Sequence, residues 1–407
     1  VTSRPPAASL PKVKLKKDLR RALHAGAPWI YRDAVGASTG IEDGALVLVL
    51  GKDSRPLGRG YFDEKGAIAV RMLTTNRADE VPLLVRARLE EARDARRALF
   101  ESGETTAFRW VHGEGDRLPG LHVDVYARHA SVAFDGSGAR AFYLGLGLLD
   151  AMFSLGSPFE LAGVVERTRR EGGSPVAATA LAGTFPNGEV LVREHGLSFG
   201  VDLVFGQKGG LFLDQRENRV RVGKLARGRS VLNLFGYTGG FSLHAARGGA
   251  TRTVTVDAAG AAIEAAKRNF AKNAELLGRA ARSDEFVAAD AFEFLREAGR
   301  KGERFGLVVS DPPSFAPSER ARAAALASYV RLHALAASVV ERGGILCAAS
   351  CSSHVSETDF LQTVRDGADR AGRSFELHEI HGAASDHPVI PEFPEGRYLK
   401  FAIGTLR

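Results

Sequence analysis

From Val190 onward the chain alternates between two kinds of segment, and that alternation leaves few folds open. "SVLNLF" reads as a strand, "GGFSLHAARGG" as a helix closed by glycine, and "TRTVTVD" as the next strand. "AAIEAAKRNFAKNAELLG" then reads as one helix, with Ile263, Ala266, Phe270, Ala274 and Leu277 on one face. "EFVAAD", "AFEFLREAG" and "FGLVVSD" continue as strand, helix and strand. A long helix over about 321–342 and the strand "GILCAAS" complete the series. Such a pattern calls for an α/β fold with a doubly wound, mostly parallel sheet. Ligands of these sheets bind outside the carboxyl ends of the strands. Asn233–Gly240, Asp257, Asp290, Asp311 and Cys351 all fall at those ends.

The first half lacks this rhythm. Residues 1–9 are expected to be disordered. "ALVLVL", "GRGYF" and "AIAVRML" read as short strands separated by Gly and Asp. Residues 79–101 predict one amphipathic helix with Leu84, Ala87, Leu89, Ala95 and Leu99 inward. "FRWVHGEGDRLPGLHVDVYARHASVAF" predicts a hairpin-like pair of strands, followed by a helix near 139–154 and the strand "LAGVVERT". The Gly/Pro-rich stretch 171–188 reads as a linker or an irregular loop. The expected domains are therefore 1–78, 79–188 and 189–407.

Composition excludes several classes. With 44% apolar and 25% charged residues, the chain is an ordinary soluble globular sequence. Two cysteines in 407 residues argue against a disulfide scaffold and fit a reducing compartment. The longest nearly apolar run, around Ala141–Phe153, is too short to span a bilayer. The polar, basic start has no apolar core of a signal peptide, so a cytoplasmic location is expected. The net charge is +7, and residues 1–32 carry all of it, with eight Lys/Arg against Asp18. A basic end on a neutral body suggests a polyanionic partner, with Lys14, Lys16, Lys17, Arg20 and Arg21 as candidate phosphate contacts. A solvated basic tail would read the same way.

Two motifs suit an adenosine cofactor. "NLFGYTGGFS" joins the first strand of the alternating half to its helix, and Asp257 ends the next strand, 21 positions after Gly236. Glycines there allow close backbone approach to a ligand, and the carboxylate can accept from a ribose diol. The spacing is not G-x-G-x-x-G, so S-adenosylmethionine fits better than a dinucleotide. Phe235, Gly236, Tyr237, Thr238, Gly240 and Asp257 are the cofactor candidates. Asp290 could reach the adenine amine or cap the following helix. "SDPPSF" is sharper. Two prolines after a strand fix a stiff turn that holds Asp311 and the Pro312 carbonyl beside the methyl donor. Pro312, Pro313 and Phe315 are the substrate candidates, with Phe315 available to stack on a base.

Cys347 and Cys351 lie about 13 Å apart on an extended strand, too far for a disulfide. Without a nearby His or Cys pair they also make a poor zinc site, and no metal is expected. Cys347, among Ile345, Leu346 and Ala348, reads as a buried small hydrophobe. Cys351 follows the strand between Ser350 and Ser352 and is the plausible nucleophile, although a free thiol is only a few per cent ionised at neutral pH. "GQKGGLFLDQRENR", with Lys208, Asp214, Gln215, Arg216 and Arg219, reads as either a surface lip or a lid over the cofactor.

On these residues the chain resembles the RlmI-type bacterial ribosomal RNA methyltransferases, which make 5-methylcytosine in large-subunit RNA with S-adenosylmethionine. The resemblance spans nearly the full length. "LKKDLRRALHAGAPWIYRDAV" and "GRGYFDEKGAIAVRML" look like the family's PUA β-barrel, and "VHGEGDRLPGLHVDVY" like its small central α+β domain. "GQKGGLFLDQRENR", "NLFGYTGGFSLHAA", "VVSDPPSF", "AASCSS" and "DHPVIPEFPEGRYLK" look like blocks of its Rossmann-like class I methyltransferase domain. The resemblance implies Cys351 as nucleophile and Asp257 and the glycine loop as cofactor holders; in the resulting reading Asp311 hydrogen-bonds the base. It also implies ribosomal RNA of the large subunit as partner, no membrane, and leaves a homodimer open. Many RNA cytosine-5 methyltransferases carry a second cysteine in the loop matching Asp311–Phe315. Here there is none, as is usual for this subfamily. The same loop type occurs in relatives that methylate a guanine nitrogen, so the identity of the base rests mainly on Cys351. A guanine-N methyltransferase, a non-catalytic RNA-binding factor and a nicotinamide dehydrogenase are the alternatives.

Overall fold

The computed structural model describes residues 10–168, 177–204, 210–278, 283–316 and 318–407. The expected disorder of 1–9, Lys208, and the first part of the expected linker lie outside them. The chain forms two compact units: Val1–Gly188 with Asp386–Gly396, and Glu189–Ser385 with Arg397–Arg407.

The first unit carries two five-stranded sheets. One contains β1 (Lys12–Lys14), β2 (Trp29–Tyr31), β3 (Leu46–Leu50), β4 (Pro56–Phe62) and β5 (Ile68–Thr74) in the order β1-β3-β4-β5-β2. Along β3 the period of two puts Val47 and Val49 into the core with Val13, Ile30, Phe62 and Val70. The other sheet contains β6 (Ala107–His112), β7 (Leu121–Tyr126), β8 (His129–Phe134), β9 (Gly163–Thr168) and β10 (Ala177–Gly183) in the order β10-β9-β8-β7-β6. The expected hairpin is thus a three-stranded meander, because Ala127 and Arg128 form a tight turn between β7 and β8, with Ala127 at positive φ. The expected linker contributes β10, paired antiparallel to β9.

The expected helix over 79–101 is two, Val81–Ala95 and Arg97–Phe100. Arg96 leaves helical geometry between them, and its guanidinium turns inward. It donates to both Asp116 carboxylate oxygens (2.6 and 2.8 Å) and to the Asp386 carbonyl (2.8 Å). The buried stripe is Val81, Val85, Leu89 and Ala92, whereas Ala87 and Ala95 face solvent. Alanine carries too little apolar area to decide which way a helix faces. The helix expected near 139–154 is likewise two, Ser137–Gly145 and Leu148–Leu155.

The second unit begins with a hairpin of β11 (Val190–Glu194) and β12 (Leu197–Val201). Its main sheet has seven strands: β13 (Ser230–Leu234), β14 (Arg252–Asp257), β15 (Ser283–Ala288), β16 (Phe305–Ser310), β17 (Val340–Ser350), β18 (Phe375–His381) and β19 (Lys400–Leu406). The order is β15-β14-β13-β16-β17-β19-β18, parallel from β15 to β17 and antiparallel through β19 and β18. Both faces are covered. Leu232, Leu234, Val308, Leu346 and Ala348 pack with Leu295, Tyr329, Ala336 and Phe360 on one side. Val231, Leu307, Val309, Ile345 and Cys347 pack with Val222, Phe241, Ala245 and Phe401 on the other. Burial on both faces makes the central strands nearly continuous apolar runs, as a parallel sheet requires. The helix expected over 261–278 divides at Asn273, which turns its amide to bond β12 through Ser198.

Cys347 is fully buried, and burial pushes its thiol up. Its contribution is packing volume. Cys347→Ala is expected to lower stability by about 1 kcal/mol in urea unfolding, the cost of a small cavity.

Candidate functional site

The carboxyl edge of the seven-stranded sheet gathers the predicted polar residues. The chain leaves β13 through a tight turn in which Phe235 (φ 55°) and Tyr237 (φ 47°) adopt left-handed conformations. Non-glycine residues rarely hold such angles, and when they do the surroundings fix them. Asp257, at the end of β14, accepts from the Tyr237 N–H through one oxygen and from the Ala259 N–H through the other, both at 2.8 Å. The Gly236 N–H donates to the Val256 carbonyl (2.9 Å). The buried Thr238 carbonyl accepts from Asn269 (3.0 Å). A Cβ on Gly236 would stand 2.6 Å from the Thr255 side chain, and one on Gly240 would stand 2.8 Å from Arg219 Cδ. Both positions therefore tolerate no side chain. Asn233 Oδ1, on the penultimate residue of β13, is buried without a partner among the described residues. The close-packed turn and the carboxylate at its rim suit the adenosine part of S-adenosylmethionine.

Asp290 lies two residues beyond β15 and caps the helix Ala291–Arg300, accepting from the Glu293 N–H (3.0 Å). That accounts for one of its oxygens.

The loop after β16 holds Asp311, half-buried, and Pro312, buried, while Pro313 is exposed. Phe315 is half-buried with its ring 4.8 Å from that of Tyr329, so one face of the ring is already packed. Gln215 donates to Asp311 Oδ2 (2.9 Å) and accepts from Asn218 (2.7 Å). Tyr398 donates to Asp214 (2.7 Å), and Ala384 donates its N–H to the Asp214 carbonyl (2.8 Å). Asp214, Gln215, Arg216, Asn218 and Arg219 are all buried. The described part of the block, 210–219, is therefore not a surface lip. It braces Asp311 from below and ties the segments around Ala384 and Tyr398 to the helix Arg216–Leu225.

Cys351 follows β17 and is half-buried. Its neighbours Ser350 and Ser352 are wholly buried and bonded: Tyr329 Oη lies 2.9 Å from Ser350 Oγ and 3.2 Å from Ser352 Oγ. Ser352 Oγ also lies 3.0 Å from Ser314 Oγ and accepts from the Ala316 N–H (3.4 Å). One serine hydroxyl thus joins the cysteine loop to the proline loop that carries Asp311. Burial raises the Tyr329 pKa, so its phenol stays neutral. Lys400, the first residue of β19, is buried and donates to the carbonyls of Ser352 and Val355, each at 2.7 Å.

A second buried cluster packs against the turn at Gly240. Arg219 donates to both oxygens of Glu194 (2.7 and 2.5 Å), and His244 Nε2 lies 3.0 Å from Glu194 Oε1. Burial raises the Glu194 pKa, but Arg219 and His244 overcome it and hold the carboxyl well below the usual range. Burial lowers the His244 pKa, so a neutral imidazole donates to the carboxylate.

Comparison with known proteins agrees with this geometry. A family profile of S-adenosylmethionine-dependent methyltransferases matches residues 170–394, and one of PUA-like domains matches residues 13–75. Ribosomal RNA large subunit methyltransferase I of Aeromonas salmonicida (strain A449) is 34% identical over 391 residues, covering 95% of this chain and 97% of that one. The ribosomal RNA large subunit methyltransferase of Deinococcus radiodurans is 35% identical over 407 residues, covering 97% of this chain and 98% of that one. The chain belongs to the S-adenosylmethionine-dependent large-subunit ribosomal RNA methyltransferase family. The crystal structure of SMU.776 complexed with SAH shares the fold, with a TM-score of 0.82 at 22% identity, covering 97% of this chain and 99% of that one.

Within this methyltransferase the PUA-like region presents the basic residues singled out from sequence. Lys14, Lys16 and Arg21 are exposed and have no ion-pair partner among the described residues. Lys17 and Arg20 are engaged, with Asp33 (2.5 Å) and Asp53 (2.8 Å). Among the described residues no helix is long and apolar enough to cross a membrane. Gln215, Tyr329, Lys400 and the Glu194–Arg219–His244 cluster were not anticipated as parts of the site. Gln215 and Arg219 stood in a flagged block, but no local spacing reveals a partner 96 residues away in sequence, as Asp311 is from Gln215.

The buried pair sets a pH dependence. Glu194 binds its proton less readily when folded, so its contribution is complete above the unfolded value of about 4.3 and is lost as pH falls below it. Glu194→Ala leaves the Arg219 charge buried alone and is expected to cost about 3–5 kcal/mol in urea unfolding at pH 7. The deficit relative to wild type should shrink as pH is lowered from 5 towards 3.

Proposed function

We propose that this methyltransferase forms 5-methylcytosine in large-subunit ribosomal RNA through a covalent adduct on Cys351. The observation that carries the reading is the Ser352 hydroxyl, which locks the loop of Cys351 against the loop of Asp311 at 3.0 Å from Ser314. A thiol and a carboxylate are thereby presented together at the edge of the sheet, beside the cofactor turn. Cys347, the other thiol, is buried in the sheet and cannot meet a substrate.

S-adenosylmethionine supplies an electrophilic methyl group on a sulfonium. Phe235, Gly236, Tyr237, Thr238, Gly240 and Asp257 hold it in this reading, and Asp290 and Asp311 border it. The Cys351 thiolate adds to carbon 6 of the cytosine, and the displaced pair of the 5,6 double bond makes carbon 5 nucleophilic. Asp311, oriented by Gln215, accepts from the exocyclic amine and steadies the adduct. Carbon 5 forms its bond to the methyl carbon, and the pair of the breaking carbon–sulfur bond stays on sulfur. A base then takes the carbon-5 proton, the double bond returns, and the bond from carbon 6 to Cys351 breaks with its pair restored to the thiolate. Pro312 and Pro313 stiffen the wall of the base site. The target base must be unpaired or flipped out of a helix to reach it.

RNA containing 5-fluorocytosine tests the reading, since fluorine blocks the final proton removal. Wild-type protein should be trapped at Cys351, as located by mass spectrometry, while Cys351→Ala should fold, bind cofactor and transfer no methyl group. Attachment elsewhere, or full activity of that variant, would return the guanine-nitrogen reaction to first place.

Lys14, Lys16 and Arg21 touch RNA phosphates in this reading, as exposed cations without internal partners. Replacing all three with alanine should flatten the dependence of log affinity on log salt by about 0.7 per lost contact for single-stranded RNA. S-adenosylmethionine affinity should not move. Equal salt slopes for variant and wild type would assign the residues to solvent alone.

A further inference from the structure

The proposed chemistry needs a thiolate, and an ordinary thiol near pKa 8.5 supplies little at neutral pH. The described residues contain an unusual cation beside the thiol. Lys400 is 4% exposed. Lysine is almost never so buried without a counter-charge. Yet among the described residues no carboxylate lies within ion-pair distance of its Nζ. Two of its three N–H groups donate to the carbonyls of Ser352 and Val355, both 2.7 Å away and both in the loop that Cys351 opens. Register fixes this placement: Lys400 stands directly across from Ser350, the residue before Cys351, in the antiparallel pairing of β19 with β17.

We propose that the Lys400 ammonium, clamped onto the Cys351 loop by these two carbonyls, is the counter-ion that stabilises the Cys351 thiolate. Its part in methyl transfer rests on the cytosine reading; its effect on the thiol does not. The thiol proton leaves to solvent, and Lys400 keeps its own three. A buried ammonium that lacks a carboxylate is relieved by an anion forming beside it, so thiolate and ammonium favour each other. Lys400 acts through Cys351 and is a positioning and electrostatic residue.

The other titratable groups around the loop are few. Asp311 faces it from the loop after β16, held by Gln215. Tyr329, from the helix Arg322–Val339, is kept neutral by burial. Glu357 opens the helix Glu357–Arg370 and is exposed. His354, within the loop, lies 3.5 Å from Glu319. Asp311 and Glu357 oppose thiolate formation, so the cation must outweigh them. Burial lowers Lys400 to about 8, which leaves the ammonium predominant at neutral pH.

The test is the pH dependence of Cys351 alkylation by iodoacetamide in the full-length protein, with the site read by mass spectrometry. Cys347, buried, is the internal unreactive control. Wild type should show a midpoint below about 8.5, the value of a free thiol. Lys400→Gln keeps donors for the loop carbonyls and loses the charge. Its midpoint should rise by about one unit, with a roughly ten-fold slower reaction near pH 7. The acid limb of the methyl-transfer rate should move with it. Lys400→Arg keeps the charge and should retain the wild-type midpoint. A purely structural lysine would leave Lys400→Gln with the wild-type midpoint, which overturns the proposal. A wild-type midpoint at or above about 8.5 overturns it without any variant, even if Lys400→Gln does not fold. A lowered midpoint that rises in Lys400→Gln, together with no trapping by 5-fluorocytosine RNA, supports the proposal and overturns the cytosine reading alone.

Discussion

The central sheet is covered on both faces, and that single constraint organises the catalytic unit. Strand interiors between two packed layers admit almost no unpaired polar group. Val231 and Leu232, or Val308 and Val309, alternate between two apolar layers, not between core and water. Chemistry is confined to positions where strands end. There the backbone turns, and loops can exchange hydrogen bonds instead of apolar contacts. The order β14-β13-β16 places two neighbouring strands with crossovers running in opposite directions, so a crevice opens above β13 and β16. The turn 235–240 and the Asp311 loop are the two lips of that crevice.

Much of this was legible in the sequence because the relevant signals are local. The strand–helix alternation, the turn after "SVLNL" and the paired prolines after "FGLVVS" each declare themselves within ten residues. Cys347 and Cys351 could be told apart by neighbours alone, apolar in one case and serines in the other. Errors fell where a local pattern had two readings. Residues 79–101 carry a helical period throughout, yet a buried arginine at Arg96 breaks the helix to satisfy its guanidinium. The stretch 177–183 is rich in alanine and weak in β-propensity, and it becomes a strand because β9 offers an open edge.

What sequence could not show are the polar contacts that span the fold. Gln215 to Asp311, Tyr329 to Ser350 and Ser352, and Arg219 to Glu194 join residues that are far apart in the chain. Each is at least partly buried, and no motif announces the pairing. They share a task. Cys351, Asp311 and the turn 235–240 sit on loops, and loops hold their geometry only if something stiffer fixes them. Here serine and tyrosine hydroxyls together with the Lys400 ammonium fix the thiol loop, an amide fixes the acid, and an ionic cluster packs against the turn.

The position of β19 has a consequence for how the protein is made. It follows the other six strands of the sheet in chain order, yet it lies between β17 and β18. As the nascent chain emerges from the ribosome, β18 has no neighbour to join until β19 has been synthesised. Residues 386–396 are meanwhile claimed by the other unit. Lys400 arrives with β19 and closes the Cys351 loop as it docks. The catalytic edge therefore matures last, and a release of the chain ahead of this strand leaves a sheet with an open hydrophobic margin, not a slow enzyme.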